Sequence, residues 1–319
     1  MNGTAPPPPP PPAAPPDRIR AARGVIMVTG ATAGIGFATA LSLAAAGYHV
    51  VGTSRRPQSA DGPLLDAVRR GDVTLVRLDL ADPASVDAAA AEVRALLKKA
   101  EVPGLAGLVN NAGAAVVGPV ETVGMDQLRW QFEVNVFSQI SLTRQLLPAL
   151  REARGRIVNI GSVAAWISMP FLSPLAASKA AFRLFNDALR LEVGPAGVQV
   201  ILIEPGRVNS AAPGKVLSEV DAAVEQMPAE LQTRYATAFR TMIGIFVARA
   251  RSGISEQAVA DAVVKAVTGS GRGTRRPVGT TTRRLQMAAR FLPNPVLDRV
   301  RYRLFGLDEF ARTGVEAEG

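Results

Sequence analysis

Apolar residues along this chain fall into short runs separated by stretches of helical period, beginning at Val25. Val25–Thr29 is a compact apolar run that passes through several glycines into Gly36–Ala46, where apolar positions recur at helical spacing. Val50–Thr53 is a second short run, closed by Ser54-Arg55-Arg56-Pro57, and Val73–Leu78 is a third. Pro83–Lys99 reads as a helix with proline in its first turn. Leu105–Asn110, Arg156–Ile160 and Val198–Ile203 follow as strands, with helices over Met125–Leu150 and Pro174–Val193 between them. Strands alternating with helices at this spacing predict an α/β fold, a doubly wound parallel sheet covered on both faces.

The pattern changes after Pro205. Residues 211–250 look helical but irregular, Ser255–Thr268 is an amphipathic helix with Ser255 as its cap, and Thr282–Phe305 offers two short basic helices split by Pro293-Asn294-Pro295. This segment is too small for a core of its own. The predicted organisation is therefore a disordered proline-rich tail over 1–24, a dinucleotide-binding core over 25–210, a substrate lid with C-terminal helices of the same domain over 211–310, and a disordered tail over 311–319.

Composition narrows the chemistry. The 319 residues contain no cysteine and one histidine, His49, so disulfides, thiolate metal sites and a His-centred triad drop out. The absence of cysteine suits a reducing cytoplasm, the expected location. The proline run Pro6–Pro12 stands where a secretory signal would need an apolar stretch, and the run Thr241–Ala248 is too short to span a bilayer. Net charge is +9, and nine arginines against one acid lie between Arg272 and Arg303. Such a patch can meet phosphates or an anionic membrane surface, so peripheral membrane contact through the basic C-terminal helices stays open. A solvated face is the plainer reading, and no nucleic-acid partner is expected.

The motif Thr29-Gly30-Ala31-Thr32-Ala33-Gly34-Ile35-Gly36 joins the first strand to a helix. Glycines at 30, 34 and 36 allow a tight turn, close approach of main chain to a pyrophosphate, and phosphate binding at the helix N-terminus. A glycine-rich loop alone can be a mere turn; the strand-to-helix setting makes it a dinucleotide-site candidate. The second strand ends in Ser54, Arg55 and Arg56, with no acid before Asp61. An arginine there pairs with a 2′-phosphate, which favours NADP(H) as cofactor, although Arg55 could simply solvate the turn.

With Asp79 after the third strand, Asn110-Asn111-Ala112-Gly113 after the fourth, Asn135 in the long helix, Ser162 after the fifth strand, Lys179, and Pro205-Gly206, the chain resembles the single-domain short-chain dehydrogenase/reductases over roughly 25–210. Its tail beyond 255 is loosely similar to hydroxysteroid and retinol dehydrogenases. The resemblance implies a Rossmann-type fold, a small, bulky apolar ketone or alcohol as substrate, and a homo-oligomer through the helices near 125–150 and 174–193. It implies that Asp79 and Leu80 hold the adenine, that Asn111, Ala112 and Gly113 line the cofactor, and that Ile35, Pro205, Gly206, Val208 and Ser210 contact it further along. Ser162 would hydrogen-bond the substrate oxygen, Lys179 would bind the nicotinamide ribose, and Asn135 would anchor a water in the proton relay.

One position departs from the family pattern. Its active site reads Tyr-x-x-x-Lys, with a serine thirteen residues before the tyrosine; counting back from Lys179 and on from Ser162 both reach Leu175. Leucine cannot give or take a proton. Of Tyr48, Tyr235 and Tyr302, only Tyr235 falls in the segment that would cover the substrate, so it is the candidate replacement donor, with half-buried packing as its plainer role. Three functions stay open: an oxidoreductase with an atypical proton donor, a non-redox cyclase, dehydratase or isomerase on the same scaffold, and an NADP(H)-binding protein without turnover.

Overall fold

The computed structural model describes residues 14–209, 213–269 and 273–316. The chain enters through a short helix, α1 (Pro16–Ala21), before the first strand, β1 (Val25–Val28). From there α2 (Gly34–Ala45), β2 (His49–Ser54), α3 (Gly62–Arg69), β3 (Val73–Arg77), α4 (Pro83–Lys99) and β4 (Gly107–Asn110) alternate. The long helical stretch that follows is broken. α5 (Met125–Phe132) widens into a π-helical turn over Glu133–Phe137, where Ser138 N–H reaches back to the Glu133 carbonyl, and continues as α6 (Ser138–Glu152). β5 (Arg156–Ile160), α7 (Ser173–Val193) and β6 (Gln199–Pro205) complete the regular alternation. The C-terminal part contributes α8 (Pro213–Glu225), α9 (Ala229–Ala250), α10 (Glu256–Val267), β7 (Arg275–Val278), α11 (Thr280–Phe291), α12 (Asn294–Leu304) and α13 (Asp308–Glu316).

The seven strands form one parallel sheet in the order β3-β2-β1-β4-β5-β6-β7. Strands buried on both faces need unbroken apolar runs, and Val25–Val28 is fully buried throughout. Leu142, Leu146 and Leu150 of α6 pack with Val86 and Val93 of α4 on one face; Ala40 and Leu43 of α2 pack with Val259 and Val263 of α10 on the other. Because the order reverses between β1 and β4, the strand ends splay there and leave a crevice at their carboxyl edge. A third cluster, Val220, Val224, Phe239, Met242, Phe305 and Leu307, joins α8 and α9 to the turn after α12 in a helical annex. Among the described residues, no helix is long and apolar enough to cross a membrane.

Both expected tails carry structure. In α1, Ile19 is buried and Arg18 pairs with Asp72 at 2.8 Å, so the segment from Ala14 onward packs on the body instead of forming part of a free tail. A single apolar side chain in a basic segment was too weak a signal to read. At the other end α13 extends to Glu316, past the expected boundary at 311. β7 has no counterpart among the expected strands: Arg-Arg-Pro-Val carries little apolar signal, and it is a strand at the sheet edge, where proline is tolerated. His49, the sole histidine, is fully buried between the Gly71 carbonyl at 3.2 Å and Thr74 Oγ1 at 3.0 Å. Burial lowers its pKa, and its role is to tie β2 to its neighbours.

Candidate functional site

The end of β1 is held to the end of β4 by Thr29. Its Oγ1 accepts from Asn111 N and Ala112 N, both at 2.9 Å, while Asn111 Nδ2 donates to the Thr29 carbonyl at 2.9 Å. Gly30 then turns with φ +70°, and a Cβ at Gly36 would overlap the Gly30 carbonyl, so the start of α2 sits against the turn as only glycine permits. Thr32 Oγ1 donates to Ser54 Oγ at 3.2 Å, which also accepts from Arg56 N at 3.2 Å and fixes the loop after β2.

These ties leave a cleft of about 490 Å³. Its wall brings together Gly30, Thr32, Ser54, Arg55, Arg56, Asp79, Leu80, Asn111, Ala112 and Gly113. Gly34 and Gly36 support the wall without lining it, and Ser210 lies outside the described residues. The arginines are exposed at the rim. Asp79 has its Oδ1 engaged by Ala81 N at 3.0 Å, closing its own turn. Trp130 and Val134 also line this cleft. Neither carries a motif signal: Trp130 lies in α5, and Val134 in the π turn that follows it, which is invisible in the sequence.

Asn111, Gly113 and Ala114 are shared with a second chamber, whose wall adds Ile35, Ile160, Ser162, Leu175, Lys179, Pro205, Gly206 and Val208. Lys179 Nζ donates to the Ile160 carbonyl at 3.0 Å. Burial lowers its pKa to about 8, because an ammonium loses hydration in an apolar setting. Ser162 Oγ accepts from Ala164 N at 3.1 Å, leaving its hydroxyl proton free to donate. Leu175 lies on the same wall as both, one helical turn before Lys179 on α7.

Two expected site residues do not line these chambers. Asn135 is fully buried behind Gly113: its Oδ1 accepts from Ala114 N at 2.9 Å, and its Nδ2 donates to the Ala114 carbonyl at 2.9 Å and to Ser178 Oγ at 3.1 Å. It shapes the main chain of the wall and does not itself line either chamber. Tyr235 lines neither chamber nor the larger cavity next to them. It packs edge-on against Phe171 with ring centroids 6.2 Å apart, and against Phe310 at 6.0 Å, inside the annex. Phe171 shares this cluster with Phe239 and Met242 of α9.

That cavity, about 530 Å³, adjoins the second chamber through Ser162, Leu175, Gly206 and Val208. Ile167, Leu172, Phe246, Leu285, Leu297 and Phe305 make it largely apolar. One buried carboxylate braces it. Glu204 accepts from Trp166 Nε1 at 2.5 Å and from Gln286 Nε2 at 3.0 Å, joining the turn after Ser162, β6 and α11. Burial raises its pKa, against the opposing pull of those hydrogen bonds and of Arg275 and Arg183.

A profile of the short chain dehydrogenase family matches residues 24–221. This chain belongs to the short chain dehydrogenase family. Uncharacterized oxidoreductase YbbO of Escherichia coli (strain K12) is 34% identical over 276 residues, covering 86% of this chain and 93% of that protein. Retinol dehydrogenase 5 of Homo sapiens is 32% identical over 293 residues, covering 88% of each chain. A short-chain dehydrogenase from Streptomyces avermitilis, solved by crystallography, superposes with a TM-score of 0.67 at 28% identity and covers 91% of this chain and 97% of its own. A second short chain dehydrogenase, from Burkholderia cenocepacia J2315 and in complex with NADP, superposes at 0.64 with 24% identity and 86% and 96% coverage, which speaks for the shared fold. The Rossmann-type sheet and the family membership expected from the sequence are both confirmed.

Proposed function

We propose that the protein is an NADP(H)-dependent oxidoreductase for bulky apolar ketones or alcohols, in which Lys179 and Ser162 handle the proton in place of a tyrosine. The observation that carries this reading is the shared wall: Ser162, Leu175 and Lys179 face one chamber that is continuous with the Arg55–Arg56 cleft on one side and the apolar cavity on the other. The cleft suits the cofactor on its own terms. Gly30 and Gly36 admit a close main-chain approach, the N-terminus of α2 offers donors to phosphates, and the two arginines at the rim offer charge to a 2′-phosphate.

Bound there, NADPH would supply a hydride to a carbonyl carbon at the chamber. The chain supplies the rest. Ser162 Oγ–H donates to the substrate oxygen and fixes its position. Lys179, with one proton engaged by Ile160 and two directed elsewhere, releases a proton toward that oxygen through a water. An ammonium with a pKa near 8 is a far better donor at neutral pH than an ordinary lysine. Leu175 offers the substrate an apolar contact beside that path.

The test is the absorbance of reduced nicotinamide, followed with a panel of bulky ketones and product analysis. Consumption that Ser162→Ala and Lys179→Met both abolish supports the reading. Leu175→Tyr should raise the rate, since it returns a phenol beside Lys179. The non-redox alternative rests on Leu175 itself, and it is favoured if a product forms with no change in absorbance. Binding of NADPH without any product would favour a protein that acts without turnover. We further propose a cytoplasmic homo-oligomer. Exposed Phe137, at the end of the π turn before α6, with Leu184 and Leu191 on α7, gives apolar surface for a second copy, and sedimentation velocity reads the outcome.

A further inference from the structure

The apolar cavity beyond Leu175 carries an electrostatic imbalance. Its wall contains three arginines, Arg207, Arg249 and Arg301, and no acidic residue. Arg301 is compensated by Asp298 at 2.7 Å. Arg207 and Arg249 have no carboxylate partner among the described residues. Arg249 donates to the Leu304 carbonyl, and Nε of Arg207 is buried without any hydrogen-bond partner.

A guanidinium stays charged at any working pH, and drawing one out of water is unfavourable unless an anion or several acceptors meet it. Both side chains are half-buried in a wall otherwise built from Ile167, Leu172, Phe246, Leu285 and Leu297. They also start from one corner. Ile254 N donates to the Arg207 carbonyl at 2.9 Å, and Gly253 N to the Ala250 carbonyl at 2.8 Å, so the turn after α9 lies directly on the loop bearing Arg207. Placement at the C-terminal end of α9 gives Arg249 a favourable dipole contact. No such explanation serves Arg207, which follows β6 in a loop.

We propose that this cavity takes an amphiphilic substrate, an apolar chain ending in a carboxylate, with Arg207 and Arg249 as the anionic-end anchor and the chain lying along the apolar wall toward Leu175. The proposal rests on the oxidoreductase reading for the reacting end only; the anchor stands on its own as a binding site. Arg207 and Arg249 are thus specificity determinants, separate from the groups that handle the proton.

The probe is decanoate, with methyl decanoate as its uncharged counterpart, titrated calorimetrically into the full chain at saturating NADP⁺. Decanoate should bind at least about tenfold more tightly than the ester, the scale of a hydrogen bond to a charged group. The double variant Arg207→Gln with Arg249→Gln should remove that preference while leaving ester affinity and the melting temperature unchanged. Equal affinity for acid and ester, or a preference that survives the double variant, overturns the proposal. If the double variant melts lower, Arg207→Lys with Arg249→Lys, which keeps the charge, must restore the preference, and failure to do so also overturns it. Failure of the redox reading shows differently: a carboxylate preference with no consumption of NADPH by a medium-chain oxo acid leaves the anchor intact and removes the oxidoreductase.

Discussion

The cleft above β1, β2 and β4 is walled by strand ends, turns and main chain, whereas the cavity beyond Leu175 is walled by side chains of helices and loops. In the first, position comes from a rigid sheet. Thr29, Asn111 and Gly36 are locked by hydrogen bonds or by contacts that tolerate no Cβ. In the second, position comes from packing among α9, α11 and α12, braced by the Glu204–Trp166–Gln286 bonds. A site built on main chain can keep one ligand through large changes of sequence, because the contacts do not depend on side chains. A site built on helix side chains changes its ligand whenever those side chains change. Lys179 stands on the boundary of the two, reaching from α7 to the Ile160 carbonyl at the end of β5.

The boundary residue gives the largest expected effect. Lys179→Met should lower ketone reduction by about 10²–10⁴, the usual worth of a positioned proton donor, with NADPH affinity changed far less. The pH profile sharpens this. A donor with a pKa of about 8 is protonated below that value, so reduction by the unaltered protein should fall as pH rises through about 8. Stability should move the opposite way. Between about 8 and the ordinary lysine value of 10.5 the unfolded chain holds the proton that the folded chain has lost, so the Lys179 contribution to stability rises with pH across that window. Chemical denaturation at pH 7.5 and 10 (chosen as roughly the two ends of the window) should show this rise in the parent and lack it in Lys179→Met. A rate that is flat through pH 8 would take Lys179 out of the proton path.

Next in size is the cofactor side of the comparison. Arg55→Ala with Arg56→Ala should narrow the preference for NADPH over NADH by at least about tenfold in a fluorescence titration, since a charge-assisted contact to phosphate is lost. Trp130, on the wall of the same cleft, supplies the signal. Equal affinities in the unaltered protein would break the assignment of the rim arginines.

Much of the sheet side was readable from sequence for a physical reason: a buried parallel strand must be apolar along its whole length, and a phosphate-binding turn must be glycine-rich. Val25–Val28 and the turn at Gly30 meet those demands; Arg156–Ile160 is legible as well, although its apolar run is interrupted by Asn159, which hydrogen-bonds Asn110 and Asn186. The helix side obeys looser rules. Asn135 sits in a π turn that leaves no mark on helical periodicity, and its bond from Ala114 N, with Lys179 also beside Gly113, could not be read from spacing. The arginines of the cavity were legible only as net charge until packing set two of them against apolar walls. α1 shows the same limit. Its one apolar anchor, Ile19, is 4% exposed, and Ile19→Ala should destabilise the protein by about 2 kcal/mol in denaturant unfolding, the low end for an isoleucine truncation on so short a helix. No change in midpoint would mean that the segment only rests on the body.

The smallest expected effect falls on Tyr235, and it discriminates most cleanly between the two regions. From sequence it was the one tyrosine able to stand in for the missing phenol. In the fold it belongs to the annex, with Phe171 and Phe310 against its ring. A proton donor must come within hydrogen-bond reach of the reacting oxygen, directly or through one water. Tyr235 lines neither the chamber that holds Ser162 and Lys179 nor the cavity beside it. Removing only its hydroxyl keeps the ring contacts, so Tyr235→Phe should leave the rate of NADPH consumption within about twofold and the pH profile in place, as for a change remote from any buried network. Two measurements in parallel decide the matter. A loss confined to the melting temperature would locate the hydroxyl in annex packing; a loss of rate at unchanged stability would require α9 to turn its tyrosine toward Leu175 during turnover, and would transfer the proton from the sheet side of the molecule to the helix side.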